Sequence, residues 1–113
     1  YNPGDIVIVH FPFTDLSSKK QRPAVVVNEP KYQTKNNDLI LVAITTKPQT
    51  EISLQLTEWE KSGLPKESWL KPVIGTFSSD IVVNKIGEIT TTDWHRLQAA
   101  VQMLVSEKVL TPQ

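Results

Sequence analysis

Cysteine is absent from this 113-residue chain. That absence excludes a disulfide framework, a thiolate metal centre and a cysteine nucleophile. An excess of charge is missing too, since 12 Lys and Arg balance 12 Asp and Glu. A domain that grips nucleic acid through overall basicity is therefore not expected, and any anion site must come from local clustering. Only four glycines occur, each isolated, so no glycine-rich phosphate loop is encoded. No apolar run approaches the roughly 20 residues that span a bilayer, and no signal peptide is legible. These readings point to a cytoplasmic protein without a membrane partner. The two histidines, His10 and His95, lie far apart and show no ligand spacing, so neither a metal nor another cofactor is expected.

What is present fits one domain, residues 1–113, long enough to build a single core. Asp5–Phe11, "DIVIVHF", is rich in β-branched residues and reads as a strand opened by the turn pair Pro3-Gly4. Pro12–Gln21 reads as a polar loop. Pro23–Asn28, "PAVVVN", reads as a second strand with its proline at the first position, where a missing donor is tolerated. Asp38–Thr46, "DLILVAITT", carries a continuous apolar run, as expected of a strand buried on both faces. Glu51–Leu56 alternates apolar and polar residues, as a further strand would. Glu67–Phe77 and Asp80–Ile89 add one or two more, broken by Pro72, Gly75 and Gly87.

Only the last segment is helical in period. Trp94, Leu97, Val101, Leu104 and Val105 form one stripe, and Thr90 with Asp93 three residues on resembles a capping box. Five or six short strands and one terminal helix predict a mainly β (α+β) domain: a strongly curved sheet or partly open barrel closed on one side by the helix. The tryptophans at 59, 69 and 94 are read as core residues, with an interface anchor as the other use of such bulk.

The chemistry-bearing residues gather in two places. Ser17, Ser18, Lys19, Lys20, Gln21 and Arg22 crowd hydroxyls, an amide and cations into the end of the first loop. Arginine grips phosphate bidentately and stays charged, and Arg22 stands at the doorstep of a buried strand, so the sheet would hold it rigidly. Thr45, Thr46 and Lys47 end the longest strand, where a hydroxyl can point into a cleft. The bland reading of each is a solvated loop lysine or an ordinary strand threonine.

In combination, "PGDIVIVHFPFTDLSSKKQRPAVVV", "LILVAITT" and "SWLKPVIGTFSSDIVVNKIGEI" before a terminal helix resemble the MazF/PemK family of toxin endoribonucleases. The resemblance runs from Pro3 to about Val105. It implies a small, strongly twisted antiparallel sheet related to SH3-like barrels, homodimers, a cognate antitoxin, and metal-independent cleavage of single-stranded RNA, often mRNA. The substrate's own 2′-hydroxyl would attack the adjacent phosphorus. The family's "RP" arginine maps onto Arg22 and its "(A)IT" threonine onto Thr45 as catalytic residues. Ser17, Ser18, Lys19, Lys20, Gln21, Thr46 and Lys47 would contact the substrate. The serine–glutamate pair that many members carry in the first loop is replaced here by "LSSKK". That leaves the general base unassigned, with His10 as a substitute acid or base. The competing reading is a non-catalytic module that binds nucleic acid or peptide on the same scaffold.

Overall fold

The computed structural model describes residues 1–10, 20–32 and 37–105. Strands β1 (Asp5–His10), β2 (Gln21–Val26), β3 (Asp38–Thr45), β4 (Trp69–Ser78) and β5 (Val82–Glu88) precede helix α1 (Thr91–Met103). They form one antiparallel sheet in the order β4-β3-β2-β1-β5. The expected β domain with a terminal helix is what the chain forms.

Strands β1, β2 and β3 carry apolar runs because both faces of the sheet's centre are covered. Ile6, Val25, Val42, Ile44 and Leu70 face α1, where they pack with Leu56, Leu64, Leu97 and Ala100. Val7, Val9, Ala24, Val26, Leu39, Leu41, Ala43 and Phe77 make a second cluster on the other face. That face is covered by the sheet's own curl. Strands β4 and β5 lie at opposite edges, yet only the 3-10 turn Ser79–Ile81 joins them. The four steps from Ser78 to Val82 reach at most about 14 Å, whereas five strands laid flat would measure about 19 Å from edge to edge. The short link therefore needs the edges rolled together, and Val73, Ile81 and Val82 from the two edges pack against the second cluster.

Proline and glycine sit where this geometry accepts them. On β4, three residues separate Leu70 from Ile74, while on β3 only Ala43 separates their partners Ile44 and Val42. The resulting bulge on an edge strand holds Pro72. A Cβ on Gly87 would run into the Ser62 carbonyl, and Gly63 takes the left-handed φ of 86°. Two backbones thus touch at that crossing, and no larger residue fits there.

Three expectations are corrected. Glu51–Leu56 is not a strand: Ile52–Leu54 is a 3-10 turn and only Gln55 makes a bridge, to Trp69. Its carbonyls are taken by a side chain instead of a neighbouring strand. The Arg96 guanidinium donates from Nη2 to the Ile52 carbonyl at 2.9 Å and from Nε to that of Gln55 at 3.0 Å. The helical stripe also stops early. Trp94, Leu97 and Val101 are covered, but α1 ends at Met103 and leaves Leu104 47% and Val105 70% exposed. The anticipated first strand ended at Phe11 and the loop ran to Gln21. Gln21 and Arg22 belong instead to β2, opposite His10 and Val9, whereas Phe11 lies outside the described residues.

The helix start is locked by one carboxylate. Thr90 caps α1 and accepts from the Asp93 N–H at 3.3 Å. Asp93, with 0% exposure, reaches away from the helix. Its Oδ1 accepts from the Thr57 N–H at 3.0 Å and the Thr57 hydroxyl at 2.8 Å, and its Oδ2 from the Glu58 N–H at 2.8 Å. The Thr90 hydroxyl in turn donates to Glu58 at 2.7 Å. That bond, followed by the one from Lys61, holds the Glu58 carboxyl below its ordinary value.

Asp93→Ala strands two backbone donors and a hydroxyl and is expected to destabilise the fold by about 3 kcal/mol or more, with Asp93→Asn intermediate in chemical denaturation. Because the Glu58 carboxyl is lowered on folding, its charge stabilises the fold fully above the ordinary value of 4.5 and ceases to do so as pH falls through the lowered folded value. The thermal midpoints of the wild type and Glu58→Gln should therefore differ at neutral pH and converge in acid.

Candidate phosphate site at one end of the sheet

Antiparallel pairing sets the N-terminal end of β2 beside the C-terminal ends of β1 and β3 and the N-terminal end of β4. Most of the polar residues singled out from the sequence lie at this end. Arg22 is exposed on β2, directly opposite Val9. Among the described residues no ion pair holds its guanidinium. Thr45 is the last residue of β3, half-buried and directly opposite Trp69 of β4.

The β2–β3 register runs Ala24 to Ala43, Val25 to Val42 and Val26 to Leu41. Continued by two residues, it brings Arg22 opposite Thr45. Side chains two apart on a strand share a face, so Arg22 lies on the face of Ala24 and Val26. Thr45 lies on that of Ala43 and Leu41, and all four of these apolar residues belong to the second cluster. The guanidinium and the hydroxyl therefore project from the same face at the same end. Bonded pairs of the ladder fall on every second residue, as the Val27 N–H donating to the Ile40 carbonyl at 2.9 Å fixes. The next rung beyond 25/42 joins Pro23 to Ile44, and because proline has no N–H only its carbonyl can take part, as acceptor for the Ile44 N–H.

A turn orients Thr45. Its Oγ1 accepts from the Lys47 N–H at 3.1 Å, and the Gln49 side-chain amide donates to the Lys47 carbonyl at 2.9 Å. With an oxygen lone pair so engaged, the hydroxyl's own proton is left to point elsewhere. Gln49 was not singled out from the sequence, because a turn-holding amide has no motif of its own.

The remaining candidates divide. Lys20, Thr46 and Lys47 are exposed at this end. His10 pairs with Gln21, and alternation turns both to the face away from Arg22. Ser17, Ser18 and Lys19 lie outside the described residues. The apolar groove beside α1, about 330 Å³ and lined by Val27, Ile40, Ile74, Trp94 and Val101, opens on the helix side of the sheet. Among the described residues, no three His, Asp or Glu side chains converge as metal ligands would, and no helix is long and apolar enough to cross a membrane.

Known structures share this fold. A mycobacterial endoribonuclease in complex with its cognate antitoxin superposes with a TM-score of 0.72 at 17% identity, over 91% of this chain and 92% of that one. Another mycobacterial endoribonuclease gives 0.69 at 17% identity, covering 91% and 88%. The Mycobacterium tuberculosis toxin MazF-mt6 gives 0.70 at 16% identity, covering 88% and 93%. Among curated proteins no sequence matches. The model of the PemK-like, MazF-like toxins of type II toxin–antitoxin systems matches residues 2–105, and with that match over nearly its whole length the chain belongs to this toxin family.

Proposed function

We propose that this domain is a metal-independent endoribonuclease that cuts single-stranded RNA, mRNA included, as the toxin of a type II toxin–antitoxin pair. The observation that carries the reading is the co-facial placement of Arg22 and Thr45 on adjacent strands, in a chain of this family. The 2′-oxygen of one ribose attacks the adjacent phosphorus and loses its proton. The P–O5′ bond breaks, and the departing 5′-oxygen gains a proton. The products are a 2′,3′-cyclic phosphate and a 5′-hydroxyl. Such a reaction needs no nucleophile from the protein, only an in-line geometry and donors for the charge that grows on the phosphoryl oxygens. Arg22 supplies the charge and hydrogen-bonds the leaving oxygen, which takes its proton from solvent as the 2′-hydroxyl releases one to solvent. Thr45 donates its hydroxyl proton to a phosphoryl oxygen. Lys20, Thr46 and Lys47 hold the flanking backbone, as would Ser17, Ser18 and Lys19, and their phosphate contacts make binding weaken with salt.

The antitoxin partner follows from family membership and from the relative bound to its cognate antitoxin. A homodimer working in the cytoplasm completes the proposal.

Incubation with mixed-sequence single-stranded RNA in excess chelator, followed by mapping of both fragment ends, tests the chemistry. Discrete fragments with cyclic phosphate and 5′-hydroxyl ends are expected. Arg22→Ala and Thr45→Val should each slow cleavage by about 10²- to 10³-fold while retaining RNA binding, and His10→Ala should cut at close to the wild-type rate. Binding without cutting across several RNAs would instead establish a non-catalytic binding module. Gln49→Ala should slow cleavage on the order of 10-fold, the worth of one hydrogen bond, and add nothing further in a Thr45→Val background.

A further inference from the structure

Two of the three tryptophans have a core to rest on. Trp59 and Trp94 pack against the cluster beneath the helix. Trp69, although half-buried, packs against neither cluster among the described residues. Its position explains why. Trp69 opens β4 directly opposite Thr45, so its indole leaves the sheet on the Thr45 face. Leu70, the next residue, turns to the helix side and is buried there. Residues Arg22, Thr45 and Trp69 thus make one row across three neighbouring strands, with Thr45 in the middle. Strands are ~4.8 Å apart, so the Trp69 and Arg22 backbones are only about 10 Å apart.

The Trp69 backbone is also held in place. It lies between β3 on one side and its bridge to Gln55 on the other. Gln55 is fixed in turn, its side-chain amide donating to Glu67 at 2.8 Å and its carbonyl accepting from Arg96 at 3.0 Å. A partly exposed aromatic on a fixed backbone, beside a cation and a phosphate-directed hydroxyl, is the combination that binds single-stranded nucleic acid. The charge and the hydroxyl take the backbone, and the π-face takes a base.

We propose that Trp69 is the stacking platform for the nucleobase next to the scissile phosphate, a positioning residue that sets the substrate's register against Thr45. This inference rests on the nuclease reading of Arg22 and Thr45. Stacking on a π-face is tolerant of base identity, so Trp69 contributes affinity and alignment, and the choice of cleavage motif falls to other groups.

The test uses an RNA oligonucleotide spanning the mapped cleavage site, with a 2′-deoxyribose at the attacking position so that it binds without being cut. Trp69→Leu should weaken its binding on the order of 10-fold, with Trp69→Phe close to wild type. An abasic substitution at the nucleotide flanking the cleaved bond should weaken wild-type binding by a similar factor and leave Trp69→Leu unchanged. Equal affinity of the wild type and Trp69→Leu, or losses that multiply when the two changes are combined, would overturn the proposal. So would a drop in molecular mass of Trp69→Leu in solution, which would make the ring a subunit anchor. Arg22→Ala separates the two levels. If it still cuts the unmodified RNA, the nuclease reading fails. If it is inactive while Trp69→Leu binds like the wild type, only the stacking role fails.

Discussion

Burial of the sheet on both faces is the constraint from which the rest follows. In an antiparallel sheet with one wet face, a slip of one residue sends the whole apolar set to water. Here a slip of one residue would exchange the two clusters, putting Val42 where Ala43 belongs, so side-chain volume selects the register. The register is therefore stiff, and it decides that Arg22 and Thr45 share a face while His10 does not. Polar residues at the strand ends inherit their aim from apolar residues further along the same strands.

The second constraint is the seam between α1 and the 51–68 segment. Little regular structure holds that segment, yet Leu56 and Leu64 must close the helix-side cluster. Asp93 and Arg96, one turn apart on the same helix, do this between them. The carboxylate gathers the N–H groups of Thr57 and Glu58, and the guanidinium gathers the carbonyls of Ile52 and Gln55. An irregular stretch is thereby satisfied by side chains from a regular one. Strand β5 is fastened separately: Lys85 reaches both Glu88 and the buried Asp5 of β1, and these two carboxylates, Glu88 first, keep its ammonium above the ordinary lysine range.

Much of this is legible in the residues. Strands β1 to β3 are written in β-branched runs because burial on both faces leaves no room for alternation. The helix is written in Trp94 and Leu97, and its start in Thr90. The alternation of Glu51–Leu56 misleads, because Ile52 is 72% exposed and, among the described residues, only Gln55 of this segment pairs with a strand. The work of Asp93 is hidden because its partners lie 35 and 36 residues away. Arg22 and Thr45 stand out by residue type and by family resemblance, but their shared face depends on a register between strands that no single segment encodes. The place of Trp69 is hidden more deeply, since it needs both that register and the bulge that keeps β4 in phase around Pro72.

Pro23 thins the seam between the two central strands. At the rung it shares with Ile44 there is one amide proton to give, that of Ile44, where an ordinary rung has two. Past Ala24 and Ala43 the two strands are no longer paired with each other, while Arg22 stays paired with Val9 and Thr45 with Trp69. Each tip is thus aligned from its outer side, and the apolar layers behind keep the two in step.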